Sequence, residues 1–394
     1  MSNTPKLRFP EFSGEWEEKK LSDFMTRLTR KNSNNESSRT LTISSVDGLI
    51  DQGEFFKKQI ASKDTSGYYL LKKGDFAYNK SYSVGYDYGS IKRLDRYEDG
   101  VVSTLYICMS LTSDTNSDYL THYFDSMKWN KSVSEISAEG ARNHGLLNIP
   151  TESFFQTKHY LAPTLAEQQK IADFLSNVDS IITAETKILN TLQKKKKALM
   201  QKLFTRQLRF KSDDGTDFPA WEEKKLGECV EILDSQRKPI ESKERANRKG
   251  EYPYYGASGI IDYIDDYLFE GESILLGEDG ANIINRNSRL AFIATGKYWV
   301  NNHAHIMKAN ADNLNYFICE YLESLDYSKI CAGSAQPKLT QDVIRNLTIK
   351  APCKEEQQKI ADCLSSLDSL IQTQQKVVTT WQQRKKALLQ QMFI

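Results

Sequence analysis

Long apolar runs are missing from this 394-residue chain. No stretch approaches the roughly 18 apolar residues that a membrane span requires. The start, Met1-Ser2-Asn3-Thr4-Pro5-Lys6, has no apolar signal core. Six cysteines (Cys108, Cys229, Cys319, Cys331, Cys353, Cys363) are scattered without a C-x-x-C pair, which fits reduced thiols better than a disulfide framework. A soluble, cytoplasmic protein with no membrane partner is the expectation. Charge of one sign is missing too: 53 Lys and Arg against 52 Asp and Glu leave a net +1. A nucleic-acid partner must therefore be argued from local patches. Aromatics are plentiful, with 20 Tyr and 17 Phe, so burial suffices for two or three domains and disorder is not expected.

Catalytic signatures are missing as well. There is no G-x-x-x-x-G-K-[ST] loop, no G-x-G-x-x-G turn, no H-E-x-x-H and no G-x-S-x-G. Gly140 and Gly145 have the first of these spacings, but Leu146-Leu147 follow where a lysine and a hydroxyl are needed. The Asn/Asp-Pro-Pro-aromatic signature of a base methyltransferase is absent. His303 and His305, at i, i+2 on a strand, would share a face. Without a Cys or carboxylate at ligand spacing they read as a structural or DNA-contacting pair rather than zinc ligands. The chain is expected to be no enzyme and to bind no metal or cofactor of its own.

What is present is a repeat. Glu167-Gln168-Gln169-Lys170-Ile171-Ala172-Asp173 returns as Glu356-Gln357-Gln358-Lys359-Ile360-Ala361-Asp362, an offset of 189 residues. Lys197-Ala198-Leu199 and Phe204 recur at the same offset as Lys386-Ala387-Leu388 and Phe393. A second echo, Trp16-Glu17-Glu18-Lys19-Lys20-Leu21, returns as Trp221-Glu222-Glu223-Lys224-Lys225-Leu226. Two repeated frames thus enclose two unlike inserts, about 22–157 and 227–350, and a repeat of this length dictates the architecture. The chain divides into a first globule (1–160), a central helix (161–212), a second globule (213–350) and a final helix (351–394). The expected class is α+β: two α/β globules rich in strand, joined by two long helices.

The helices follow from periodicity. Thr164, with Glu167 three residues on, is a capping-box start. Apolar residues then recur at three- and four-residue steps, among them Ile171, Phe174, Leu175, Val178, Ile182, Ile188, Leu192 and, in the second copy, Ile360, Leu364, Leu367, Leu370, Ile371, Trp381. This is a coiled-coil or bundle seam. No Gly or Pro interrupts either run, so each helix is about 40 residues and ~60 Å long. Matching stripes most simply bury each other, in an antiparallel or a parallel pair. Full antiparallel overlap would set Glu185 against Gln374 near a pseudo-dyad, a polar pair that fixes register.

Strand runs are expected at Val101–Cys108, Ser273–Leu276, Leu290–Ile293 and Tyr298–Val300. The recognition chemistry sits in loops around them. Residues 79–93 interleave Asn79, Lys80, Ser81, Tyr82, Tyr86 and Lys92 with glycines, able to place cations on phosphate and amides or hydroxyls on base edges; a solvated hairpin with packing tyrosines is about as good a reading. A loop before the first helix holds Arg142 and Asn143, and one before the second holds Ser334, Gln336 and Lys338. Between them lie Glu278 and Asn282, then Asn301, Asn302, His303 and His305. Arg can read guanine, Asn or Gln adenine, and Glu the cytosine amine. For the acidic 277–282 loop a tight turn is the better single-residue reading. The run Lys194-Lys195-Lys196-Lys197 could touch phosphate, form a solvated face or, with Lys195 on the seam, meet a partner.

Taken together, the paired A-P-x-x-x-E-Q-Q-K-I-A motifs at Ala162 and Ala351, the helix ends Lys197–Phe204 and Lys386–Phe393, and the twice-used Trp-Glu-Glu-Lys-Lys-Leu entry resemble the specificity subunit of Type I restriction–modification enzymes. The resemblance covers essentially the whole chain. It implies that each insert is a target recognition domain reading half of a bipartite double-stranded DNA target. It also implies an antiparallel coiled coil setting the spacer. Two methylation subunits carrying S-adenosylmethionine and two restriction subunits using ATP and Mg would be the partners, in a bacterial or archaeal cytoplasm. Two rival readings are a stand-alone DNA-modifying or cleaving enzyme and a coiled-coil scaffold for protein or glycan.

Overall fold

The polar residues of the repeated motif explain why the two long helices start where they do. The computed structural model describes residues 3–56, 62, 64–112, 115–137, 147–331 and 337–394. The central helix runs Leu165–Phe204 and the C-terminal helix Lys354–Met392, 40 and 39 residues. Thr164 caps the first, its Oγ1 accepting the Glu167 N–H at 3.2 Å. The Glu167 carboxylate, expected to complete a capping box, is engaged elsewhere. Almost wholly buried, it accepts a bidentate pair from Arg8 at 2.7 and 2.8 Å and the Trp16 indole N–H at 3.2 Å. Glu356 repeats this with Arg209 at 3.1 and 2.6 Å and Trp221 at 3.1 Å. A buried carboxylate needs such donors, and near a helix N-terminus the dipole adds to them.

The next two residues do different work. Gln168 donates to the Ala162 carbonyl and accepts the Asn116 N–H, both at 2.8 Å. Gln357 likewise donates to Pro352 O and Asn313 Oδ1 and accepts the Leu314 N–H. Each therefore ties a long helix to the start of a shorter helix, Ser117–Asp125 or Asn315–Ser324. The second glutamines, Gln169 and Gln358, bond Asp173 and Asp362 one turn on, each at 2.7 Å.

The chain divides into two compact units, residues 1–186 with 376–394, and residues 187–375. In the first, Glu17–Lys20 pairs antiparallel with Lys158–Leu161 and closes the base of the insert. Above it a four-stranded antiparallel sheet has the order Met25–Arg27, Ile107–Leu111, Phe76–Asn79, Ser90–Arg93. A hairpin, Leu41–Ser44 with Gly48–Asp51, and an antiparallel pair, Tyr69–Lys72 with Asp99–Val102, complete the strands. The single strand expected over 101–108 is two, parted by a turn that Tyr106 N–H closes onto Ser103 O. Leu105 at that turn is exposed.

The second unit repeats the plan. Glu222–Lys225 pairs with Thr348–Ala351. Its sheet has the order Val230–Ile232, Ala304–Ala309, Ser273–Gly277, Ala291–Ala294. Inserts that look unlike as sequence share one sheet order. The repeated phenylalanines close the two cores. Phe393 packs on Trp16, Tyr119 and Tyr123 with ring centroids 5.4–6.1 Å apart, and Phe204 on Phe317 and Tyr321 at 5.8 and 5.3 Å. Full burial of such a ring, as at Phe393, contributes about 1.5–3 kcal/mol, and the half-buried Phe204 contributes less.

Within each unit the long helices run antiparallel. Lys385 meets Asp179 at 2.6 Å in the first unit, and Lys196 meets Asp368 at 2.7 Å in the second. The 189-residue offset relates these ion pairs. They also reach the globules: Lys196 holds Glu320 at 2.8 Å, and Lys385 lies 3.8 Å from Asp125. The seam lysine is therefore Lys196, which is buried, and not Lys195, which is exposed; one residue is 100° around a helix. Ile171, Leu175, Val178, Ile360 and Leu364 are buried, while Ile182, Glu185, Leu192, Leu367, Ile371, Gln374 and Trp381 are half-buried. Phe174, Ile188 and Leu370 fall off the seam and are exposed, because a seven-residue stripe drifts around a straight helix. Among the described residues no helix is long and apolar enough to cross a membrane.

One buried group makes the first unit acid-sensitive. His159 lies under Phe24 with its ring nitrogens 2.8 Å from Tyr123 Oη and Thr157 Oγ1. Burial pushes its pKa down to about 4. A folded pKa below the unfolded value means the unfolded chain binds the extra proton, so stability falls as pH drops from about 6.5 to about 4. The expected loss is about 3 kcal/mol, and burial moves His122 in the same direction. Denaturant melts from pH 7 to 4 should show this slope, and His159→Gln should flatten most of it.

Candidate nucleic-acid interface

In the first unit the 79–93 segment leaves the middle of the sheet as a loop and returns as its edge. Asn79 ends a central strand, and its Oδ1 accepts the Ser81 N–H at 3.0 Å. Tyr78 fastens the loop by donating from Oη to Tyr88 O at 2.7 Å. Lys80 is half-buried, and desolvation lowers its pKa. Ser81 and Tyr86 are half-buried and Tyr82 is exposed. Lys92 is committed within the fold: its ammonium meets Asp125 at 2.7 Å. Lys80 O accepts the Leu147 N–H at 3.0 Å, so the chain leaving the 140–145 loop runs beside the 79–93 loop. Arg142 and Asn143 themselves lie outside the described residues.

The second unit gathers its three candidate loops at one place. Glu278 N–H bonds His303 O at 2.8 Å, Leu339 N–H bonds Glu278 O at 2.8 Å, and Asp279 bridges to Lys338. Ser334 and Gln336, next along that third strand of chain, lie outside the described residues. The contact between Glu278 O and Leu339 matches the one between Lys80 O and Leu147 in the first unit, so equivalent edges are used twice.

Side chains at this edge split into two groups. Glu278 is tied to Arg237 at 2.9 Å and Lys338 at 3.2 Å. Burial raises its pKa, but the Arg237 hydrogen bond, His305 and Lys338 outweigh that and hold the carboxyl below its ordinary range. His305 is buried, with Nδ1 2.6 Å from Asp234 Oδ2 and Nε2 2.8 Å from Leu339 O. Asn301 is buried and its Oδ1 accepts the His303 N–H. Asn282 clasps Ser288 through both amide atoms. These four brace the loops. Asn302, His303 and Lys338 are exposed or partly so, with His303 Nδ1 2.8 Å from Asp279.

The two histidines do not share a face as expected. His303 precedes the strand Ala304–Ala309, whereas His305 points from it into the core. Both ring nitrogens of His305 already face oxygens, so it offers no free nitrogen to a metal. Sequence reasoning missed Asp234 and Arg237, which pin the edge from beneath. It also missed Arg8, and it grouped Arg209 with cations that could touch phosphate, whereas Arg209 holds Glu356; Leu7-Arg8-Phe9 recurs as Leu208-Arg209-Phe210.

Residues 220–380 match the family model of the Type I restriction modification DNA specificity domain. The putative type I restriction enzyme specificity subunit S.HindORF215P of Haemophilus influenzae is 35% identical over 147 residues, 37% of this chain and 37% of that protein. The match thus spans little more than a third of that relative's length. The specificity subunit of the type I restriction enzyme MjaVIII from Methanocaldococcus jannaschii is 24% identical over 413 residues, 97% of this chain and 92% of that protein. The crystal structure of a Type-I restriction-modification S subunit from M. genitalium has the same fold, with a TM-score of 0.60, 15% identity and 99% of both chains covered. The chain is thus similar to a Type I specificity subunit over nearly its whole length, its residues 220–380 match the DNA specificity domain, and its fold is that of a solved S subunit.

Proposed function

We propose that each insert reads one half of a bipartite DNA target and that the long helices set the unread spacer between the halves. The observation that carries this reading is the doubled edge: one sheet order, used twice, with the divergent loops following the same central strand in both inserts. A shared scaffold with unlike loops is what two readers of different half-sites require. Base discrimination then comes from exposed side chains, and the half-buried Arg237, Asp234 and Glu278 with the buried His305 hold the loops rigid. Two methylation subunits with S-adenosylmethionine would modify adenines in the target, and two restriction subunits would add ATP- and Mg-dependent cleavage. This chain would supply recognition only, with no cofactor of its own, in the cytoplasm.

Mapping N6-methyladenine across the genome of cells with and without this chain tests the reading. A two-part methylated motif that vanishes with the chain is expected, and an unchanged methylation pattern would refute it. Within that motif, Arg142→Ala and Gln336→Ala should each weaken target binding by about 1–3 kcal/mol, the value of a bidentate base contact. Equal losses on random DNA would instead mark those two residues as phosphate or structural contacts.

A further inference from the structure

We infer that the tip of a β-hairpin, residues 45–47, is a second reading element of the first recognition domain, setting Val46 beside Val84 to contact thymine methyl groups; this rests on the DNA-recognition reading above. The hairpin strands are Leu41–Ser44 and Gly48–Asp51. Its turn is clasped by Ser44 Oγ, which donates to Asp47 Oδ2 at 2.9 Å and accepts the Asp47 N–H at 3.0 Å. Ser45 Oγ lies 3.1 Å from both Ser83 Oγ and Ser90 Oγ. That places the hairpin tip against the loop that follows the central strand.

The loop meets it with a tip of its own. Tyr86 N–H bonds Ser83 O at 2.8 Å, leaving Val84 and Gly85 as a two-residue turn in which Gly85 takes φ +82°. Val84 is 90% exposed and Val46 79%. Valine is a poor choice for a turn, where Gly, Asn, Asp and Ser each have a local reason to be. Neither side chain packs into a core. Two apolar tips are thus held in hydrogen-bonded turns among hydroxyls and an amide, with Asn79, Ser81 and Tyr82 in the same loop. A thymine presents that pairing in the major groove, a methyl group beside an acceptor oxygen.

The second domain places a hairpin tip at the equivalent spot with different residues. Strands Lys249–Gly256 and Gly259–Ile264 are joined through Ala257 and Ser258. The backbone there comes so close to Gly277, the end of the central strand, that a Cβ on Gly277 would stand 2.6 Å from Ala257 O. Glu278 and its loop follow directly. A tip beside the central-strand loop is therefore common to two inserts that share little sequence, which points to the reading edge and not to a local accident.

The test uses the assembled complex and its mapped target. Each thymine in the half-site assigned to the first domain is replaced by deoxyuridine, which removes the C5 methyl alone. For the unaltered protein at least one replacement should weaken binding about 4–15-fold, the scale of one buried methyl-sized group or two. The double variant Val46→Ser, Val84→Ser should bind the unmodified target weaker by that factor and lose nothing more on uridine. Preference for the other half-site should stay unchanged, which shows that the variant is folded. Wild-type affinity in the variant, uridine sensitivity that persists in it, or a half-site without thymine would overturn the inference. So would loss of subunit assembly in place of DNA affinity, which would mark the tips as a protein contact. If no two-part motif is found at all, the recognition reading itself fails; a normal motif with tip-insensitive binding sinks the tips alone.

Discussion

On the proposed reading, replacing residues 22–157 with the insert of a Type I specificity subunit is expected to change one half of the methylated motif and leave the other half and the spacer as they were. Specific complexes bind about 10³–10⁷-fold tighter than non-specific ones, so loss of the original half-site should remove most of the affinity for the old target. The structure shows why the exchange can be clean. Glu17–Lys20 and Lys158–Leu161 seal the insert at its base, and the pairing is backbone to backbone. Among the contacts that must travel with the replacement are an N–H at the position of Asn116 for Gln168, rings at Tyr119 and Tyr123 for Phe393, and a carboxylate at Asp125 near Lys385. Methylated-motif mapping of the chimera reads the result. A change in both halves would mean that the two inserts do not read independently.

Glu167→Ala should destabilise the first unit by about 3–5 kcal/mol, the cost of breaking a buried ion pair from one side. The substitution strands the Arg8 guanidinium, whose side chain is 12% exposed, and the buried Trp16 N–H. The hydrogen bonds that Arg8 donates to Glu167, and the nearness of that carboxylate, outweigh burial and hold the Arg8 pKa above its ordinary value. Glu356→Ala in the second unit removes the same kind of acceptor, yet Arg209 is 30% exposed and can rehydrate. Its cost should be smaller, about 2–3 kcal/mol. Denaturant melts give the totals. Hydrogen exchange should localise the first loss to the segment around Arg8 and Trp16 and to the start of the central helix. Equal losses in the two variants would contradict the role given to Arg8 burial.

Several features could be read before any coordinates. The helices were legible because their signal is local and repeated: a hydroxyl cap at Thr164, an apolar residue every three or four positions, and no Gly or Pro for about 40 residues. The matching second copy made the frame unambiguous. The strands at Ser273, Ala291 and Lys297 were legible for the same reason, as short β-branched or aromatic runs between turn residues. The break at Leu105 was not, since Val101–Cys108 is continuously strand-prone and the turn is set by what Asp99–Val102 pairs with.

The site was less legible than the frame. Candidate loops were found by composition, but composition cannot separate a reader from a brace. Glu278 and His303 look equally functional in the sequence, yet one is tied to Arg237 and Lys338 while the other is exposed. Lys92 looks like a phosphate contact and is spent on Asp125. Val46 carries no signal at all until its neighbour Ser45 is found against Ser83, in a turn 38 residues further along the chain.

Sequence by itself determined the doubled frame, the two long helices, their amphipathic seam and the absence of known catalytic motifs, because each is written in neighbouring residues or in a copy at a constant offset. Tertiary structure alone decided which lysine of a run of four enters the seam, in what register Asp179 and Asp368 meet their partners, and that two dissimilar inserts share a sheet. It also decided which charged groups at the recognition edge are already paired. Those outcomes depend on groups far apart in the chain competing for the same hydrogen bonds and the same buried space, and no local pattern records who wins.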